Sequence, residues 1–382
     1  ALVKAGSSGL PSLKNPIEGV IPGPQVWEAC FTGKYRNVGD WYSGKGAQAG
    51  VDETCDIHCI IHDENAYLQT GPNMKRGIEA HRKMDFVLSK AQFLTTQALY
   101  SDIVLPVTTQ WEVPGGLASS NREFLFCFSQ VTEPLYEAKT DAQINALIME
   151  ALGLDPSTVY PISEKQAFFN QIAGATVIKE DGSGKYEPLV TITEDDIKEW
   201  ECEGEPQEGV LGMKELIEQG MYQIPRSPDD GYTYIAYEKF VQDPEANPLK
   251  TASGKQEIYC APLRDAINGI GYSKIEAIPT YVPPQEGVEA TYSDFEVGVK
   301  GDYPFQVYNP HYLRRSHTVF DNVQWLRETW PNPVFISVQD AKEKGIEEGD
   351  TVLLTSPHGK CLRTACPTQR FMPGVIGLPH GA

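Results

Sequence analysis

The chain has 382 residues and a mass of 42.3 kDa, with 41% hydrophobic and 22% charged residues. That is enough for a sizeable core and, at about 100–200 residues per domain, for two or three domains. Its 52 Asp and Glu against 32 Lys and Arg give a formal net charge of -20 and an isoelectric point near 4.8, which argues against nucleic acid as a partner held by its phosphates. The longest apolar stretches, such as Phe86-Val87-Leu88 and Ile103-Val104-Leu105-Pro106-Val107, fall far short of the roughly 20 residues of a membrane-spanning helix, so no direct membrane span is expected.

The chain opens on Ala1-Leu2-Val3-Lys4 without an initiator Met, a basic n-region or an apolar h-region, so a targeting signal is expected to be absent or already removed. Cys59-Ile60-Ile61 is a short apolar run ending in polar His62-Asp63-Glu64-Asn65. Asn73 to Lys83 has helical composition, Met84-Asp85-Phe86-Val87-Leu88 reads as a buried strand, and Ile103-Val104-Leu105-Pro106 as another. Asp141 to Leu152 reads as a helix, with Ile144, Leu147, Ile148 and Ala151 at helical spacing, Thr140 as N-cap and Gly153 as stop. Strand, polar loop, helix and strand in repetition predict an α/β parallel sheet over 1–155, whose ligands sit beyond the carboxyl ends of its strands. Residues 156–300 read as an irregular connecting region. Its run Glu201 to Glu208, four Glu in eight positions, reads as a solvated face. From about 301 the pattern turns to short β segments, Val334–Ser337, Thr351–Thr355 and Lys360–Ala365, punctuated by Gly349-Asp350, His358-Gly359 and Pro373-Gly374. These suit a compact barrel-like β domain. The strand-and-turn rhythm stops at Leu378-Pro379-His380-Gly381-Ala382, and a truncated end is expected.

Eight cysteines are too sparse for a disulfide framework. Cys55-Asp56-Ile57-His58-Cys59 is their closest cluster, but closed zinc sites and iron–sulfur clusters need four ligands. Ordinary strand or loop cysteines are the reading, and no metal ligand is assigned. Asn65-Ala66-Tyr67-Leu68-Gln69 follows a predicted strand and offers amides to a nucleotide or pterin edge, or else a capped turn. Ser89-Lys90-Ala91-Gln92-Phe93-Leu94-Thr95-Thr96 follows the next strand with hydroxyls, an amide, a lysine and helix N-terminal N–H groups, a combination suited to phosphate. No G-x-G-x-x-G or Walker-type lysine motif occurs, which weakens an NAD or P-loop reading.

Together these segments resemble the molybdopterin oxidoreductases of the dimethyl sulfoxide reductase family. Phe86-Val87-Leu88-Ser89, then Phe93 through Pro106 (FLTTQALYSDIVLP) and Glu112, is similar to that family's "F-x-T-x-T-A-x-x-A-D-I-V-L-P…E" run. Thr251-Ala252-Ser253-Gly254-Lys255-Gln256-Glu257 resembles its "T-x-S-G-K-x-E" segment, and His311-Tyr312-Leu313-Arg314-Arg315-Ser316-His317-Thr318 its "H-x-x-R-S-H-S" segment. Asp340 through Val352 is similar to "D-A-x-x-x-G-I-x-x-G-D-x-V", and Pro373-Gly374-Val375-Ile376 to "P-G-V-V". The motifs occur in the family's order over roughly 25–155 and 225–382.

The resemblance implies the C-terminal portion of a catalytic subunit that holds molybdenum, or tungsten, in a bis-molybdopterin guanine dinucleotide. It implies part of an α/β dinucleotide-binding domain followed by a six-stranded double-psi β-barrel over 301–382. A four-iron four-sulfur cluster and the metal-ligating residue are expected upstream of residue 1, so no catalytic residue is assigned and the fragment alone is expected to be catalytically incompetent. Implied partners are an iron–sulfur electron-transfer subunit, a membrane anchor subunit and a small-molecule substrate. Anaerobic respiratory reduction and a periplasmic or membrane-associated location go with them. Position by position, Asn65 and Ser89 fall where the family lines the guanosine end, and Asp141 on a carboxylate that would accept from guanine N1–H and its amino group, or else serve its helix start. Ala91 departs from the family's Asp, and the preceding Lys90 is assigned to a phosphate instead. Tyr308, His311, Arg314, Arg315, Ser316, His317 and Thr318 fall on the loop along the pterin and diphosphate, with His380 near the second cofactor. The alternative is a cofactor-free scaffold or iron–sulfur protein assembly subunit that keeps the fold.

Overall fold

The computed structural model describes all residues except 18, 40–47, 64–65, 120–122, 182, 229, 231, 233–234, 313–316 and 382. The chain divides into two compact units, 1–278 and 279–382.

In the first unit a parallel sheet runs in the order β1 (Cys59–His62), β2 (Phe86–Ala91), β3 (Ile103–Pro106). Cys59 pairs with Phe86 and Leu88 with Ile103. Paired residues share a face in a parallel ladder, so Ile60, His62, Val87 and Ser89 point one way and Lys90 the other. The first face meets a core of Trp27, Cys30, Leu68 and Ala80, the last from helix α1 (Met74–Lys83), which connects β1 to β2 and is capped by the Asn73 side chain. The second face meets helix α2 (Asp141–Ala151), whose start is fixed by a capping box: Thr140 accepts from the Gln143 N–H and Gln143 answers to the Thr140 N–H. β2 runs three residues beyond the apolar signal. Ser89, Lys90 and Ala91 therefore lie within the strand and are buried, not in a polar loop after it. A polar pair at this depth is tolerated because each member has a partner.

The largest apolar core lies elsewhere in this unit, in the stretch that reads as irregular in sequence. Phe168, Phe169 and Ile172 of helix Glu164–Ala173 pack with Leu125, Leu189, Val190, Ile192, Met213 and Leu216. The helix starts where Ser163 accepts from the Gln166 N–H and ends at Gly174. Strand Phe124–Ser129 lies between Gly115–Ala118 and Met221–Gln223, and Val3–Lys4 pairs antiparallel with Thr176–Ile178. At Gly115 φ is +145° and an added Cβ would lie 2.3 Å from the Phe168 ring, so strand and helix approach closely only with glycine there.

The second unit is a curled five-stranded mixed sheet among the described residues. Its strands are β4 (Gln306–Tyr308), β5 (Val334–Ser337), β6 (Thr351–Ser356), β7 (Gly359–Thr368) and β8 (Val375–Gly377), in the order β4-β8-β5-β7-β6. β4 and β8 are parallel, as are β5 and β7, while β6 and β7 form an antiparallel hairpin. Val334, Ile336, Ala341 and Ile376 form its small core, beside a cavity of about 1000 Å³ lined by Phe305, Gln306, Val352 and Leu354.

The core built by residues 164–224 makes a clear demand on stability. Ile172→Ala removes a fully buried side chain and should cost ~2–5 kcal/mol, whereas Leu263→Ala on the exposed helix Ala261–Ile270 should stay within ~0.5 kcal/mol. Urea unfolding midpoints of the two variants check this. Equal small shifts would remove residues 164–224 from the load-carrying core.

Candidate functional site

The carboxyl ends of β1 and β2 and the start of α2 bring three charged side chains together. The Lys90 ammonium lies 2.7 Å from Asp63 Oδ1 and 2.8 Å from Asp141 Oδ1, and donates to Asn145 Oδ1 at 3.2 Å. Asn145 stands one helical turn after Asp141, on the same face, and in turn donates to the Tyr160 hydroxyl. The Lys90 side chain is 2% exposed, while those of Asp63 and Asp141 are 71% and 61% exposed. Burial works against the ammonium, but the hydrogen bonds to Asp141 and Asp63 outweigh it and hold its pKa above the ordinary lysine value. Asp141 also occupies the first turn of α2, where the helix dipole favours a carboxylate.

Several expected positions sit differently from their sequence reading. Lys90 has three N–H groups and three acceptors, so this arrangement leaves none for a phosphate. Ser89 is fully buried, its hydroxyl 2.7 Å from that of Ser101, and it faces away from Lys90 into the sheet's other layer, where it reaches no open surface. Helix capping belongs to Thr140, which leaves the outer part of the Asp141 carboxylate available. Asn65 lies outside the described residues. Asp63 was not singled out in sequence; its signal was its place immediately after the apolar run of β1.

On the other face, His62 Nε2 lies 2.8 Å from His81 Nε2, and His81 Nδ1 lies 2.6 Å from the Gly77 carbonyl. A carbonyl requires a donor, so His81 carries its proton on Nδ1 and accepts at Nε2 from the Nε2–H of His62. Burial, together with the neighbouring His81, pushes His62 down to about 4. Burial also lowers His81, against the opposing pull of the Gly77 carbonyl. Glu112, buried between two loops, accepts from the backbone N–H groups of Thr109 and Leu135, which hold its carboxyl below the ordinary range.

In the second unit, Tyr308 closes β4 and its carbonyl accepts from the Leu378 N–H, while the His380 N–H reaches the Pro310 carbonyl. This pairing brings the His380 ring to 4.1 Å from that of His311 and 4.5 Å from that of His317. The His317 N–H donates to His380 Nε2 at 3.0 Å, and His317 takes a left-handed backbone, φ +53°. Tyr308, His311, His317 and Thr318 are exposed. Arg314, Arg315 and Ser316, between them in sequence, lie outside the described residues. Elsewhere in the unit, Gln306 Oε1 and Asn332 Oδ1 are buried acceptors with no partner among the described residues.

Residues 305–382 match the family described as molydopterin dinucleotide binding domain. The chain is 27% identical over 309 residues to the putative dimethyl sulfoxide reductase chain YnfE of Escherichia coli (strain K12), covering 80% of this chain and 34% of that protein. It is 28% identical over 326 residues to the dimethyl sulfoxide/trimethylamine N-oxide reductase of Cereibacter sphaeroides, covering 80% and 33%. In fold it resembles acetylene hydratase from Pelobacter acetylenicus, with a TM-score of 0.59 at 17% identity, over 94% of this chain and 39% of that one. Residues 305–382 thus carry a molybdopterin dinucleotide-binding domain. The chain spans about a third of the length of the curated relatives it matches.

The buried histidine pair fixes a pH dependence. With the folded-state pKa of His62 near 4 and an unfolded value near 6.5, the unfolded chain takes up the proton first. Stability is complete above about pH 6.5 and falls as the pH drops toward 4, by about 3 kcal/mol from this residue. His62→Gln, which keeps a donor for His81, should flatten that part of the profile. An unchanged slope between pH 6.5 and 4 in urea unfolding would remove the pair as its source.

Proposed function

We propose that the protein carrying this chain is a molybdopterin-dependent oxidoreductase that reduces a small molecule of the S-oxide or N-oxide kind, and that this chain supplies part of the grip on a bis-molybdopterin guanine dinucleotide. The observation that carries the reading is the dinucleotide-binding domain match over 305–382, supported by relatives whose names specify dimethyl sulfoxide and trimethylamine N-oxide reduction.

The residues present fit such a group. Pterin and guanine are rich in N–H donors, and the chain offers acceptors: the outward carboxylates of Asp63 and Asp141 in one unit, and the buried, unpartnered oxygens of Gln306 and Asn332 in the other. When bound, the molybdenum or tungsten cofactor supplies two-electron transfer at the metal. The chain's own part is orientation and exclusion of water. Asp141 and Asn65 take the guanosine end, and Tyr308, His311, Ser316, His317 and Thr318 line the pterin. Arg314 or Arg315 forks onto the diphosphate. His380 braces the loop by accepting from the His317 N–H. In this reading the five-stranded curled sheet is part of a six-stranded double-psi barrel over 301–382, and residues 1–155 contribute to an α/β dinucleotide-binding domain. A four-iron four-sulfur cluster outside this chain and an iron–sulfur partner subunit would supply single-electron transfer, with a membrane anchor subunit completing the assembly.

The intact protein should contain molybdenum or tungsten, with about two guanines per metal released as GMP by acid hydrolysis. Metal without guanine nucleotide would overturn the dinucleotide reading, and absence of both would favour a cofactor-free scaffold.

The arginine pair allows a finer test. Removing the guanidinium that meets a buried diphosphate should cost about 2–5 kcal/mol, far more than the ~0–1 kcal/mol of a surface ion pair. Arg315, directly before Ser316-His317 as in the family motif, is the expected donor. Loss of cofactor in Arg315→Ala alone supports it, loss in Arg314→Ala alone reverses the assignment, and full retention in both returns the loop to a structural role.

A further inference from the structure

Lys90 stands in β2 with its side chain almost wholly out of solvent, and its three N–H groups have three acceptors from two separate segments. Asp63 follows β1 and Asp141 begins α2, so nothing in local sequence holds them together. The ammonium does: Asp63 Oδ1 and Asp141 Oδ1 both contact one nitrogen and lie within about 5.5 Å of each other, the two contacts laid end to end. The remainder of both carboxylates is exposed, beyond the carboxyl ends of a parallel sheet, where such sheets bind ligands.

We infer that Lys90 is a positioning residue and Asp63 a second specificity-determining carboxylate. The buried ammonium holds the carboxylates of Asp63 and Asp141 side by side as one acceptor surface for the N–H-rich edge of a guanine base. The inference rests on the guanine reading of Asp141 given above and adds the two residues that shape that site. Without Lys90 the two carboxylates face each other uncompensated, and like charges at this separation drive one of them to take up a proton or turn away. Either change costs the base an acceptor. Asp63 and Asp141 together carry two negative charges against one positive on Lys90, so the cluster stays anionic. That suits a neutral donor-rich base and disfavours a phosphate at the same place.

The test compares variants of the intact protein for GMP released by acid hydrolysis per mole of folded protein, with thermal unfolding measured in parallel. Lys90→Met should lower retained guanine nucleotide on the order of tenfold. Asp63→Asn combined with Lys90→Met removes the repulsion while the amide oxygen at position 63 still accepts, and should recover part of the loss, short of wild type because the second carboxylate is gone; a purely packing role for Lys90 would produce no rescue. Asp141→Asn should lose guanine with Lys90 in place. Full retention in Lys90→Met beside loss in Asp141→Asn overturns the positioning role while the guanine reading stands. Full retention in Asp141→Asn, or no guanine nucleotide in the wild type, overturns the reading and the inference with it. If Lys90→Met does not fold, the double variant decides: retention well above that of Asp141→Asn supports the inference and equal loss overturns it.

Discussion

A buried ammonium cannot be left without acceptors, and the candidate site of the first unit is arranged around meeting that demand for Lys90. Stranding one charge in a low-dielectric interior costs several kcal/mol, so the loop after β1 and the start of α2 are both bound to a position in β2. Asn145, one turn into α2, takes the remaining N–H and passes the constraint to Tyr160. The sheet is thereby tied to its covering helix by charge at the carboxyl end of the strands. On its other face the attachment is through Ile60 and the Trp27, Leu68 and Ala80 core, with the neutral His62–His81 hydrogen bond beside it.

The motifs behind the family resemblance divide into those that shape backbone and those that present groups. In the second unit Asp340 is structural: its carboxylate accepts from the Ser337 hydroxyl and from the Gly374 N–H, joining the start of helix Val338–Lys344 to the Pro373-Gly374 turn. Gly345, Gly349 and Gly374 all take positive φ, which L side chains adopt at a cost, and Asp350 accepts from the Glu347 N–H to close the turn between them. The "D-A…G-I…G-D" and "P-G-V" patterns are accordingly a description of one strand–helix–strand connection. In the proposed reading, the His311–Thr318 segment is the family segment of this unit that presents side chains to the ligand.

Elements with a strong local period were legible. β1, β3, β5, α1 and α2 fall within a residue or two of their apolar runs and caps, because period and capping act over a few residues. The extent of β2 was not legible: Ser89 and Lys90 look like loop residues until the partners Ser101, Asp63 and Asp141 are known, and those contacts span 12 to 51 positions. The stretch 156–224 was opaque for a related reason. Its strands are two or three residues long, too short for a period to register, and its core is assembled from segments as distant as Leu2 and Ile224. At the candidate site, the family resemblance pointed to Asp141 and residue types to Lys90, but the contacts of Lys90 with Asp63 and Asp141 were not legible, since sequence shows a charge and not what lies across from it.

On the proposed reading, a protein of net charge -20 has to treat the two ends of a guanine dinucleotide differently. The base end is neutral and presents donors, so carboxylates can serve it without a compensating positive surface, provided their mutual repulsion is relieved from within. A buried lysine does that while adding no positive charge to the exterior. The diphosphate carries negative charge and needs cations at close range, because an acidic surface raises the cost of bringing it in. In the proposed reading that role falls to Arg314 or Arg315, adjacent in sequence. Net acidity, which argues against binding polyanions over the surface at large, is thus compatible with gripping one of them at a local site.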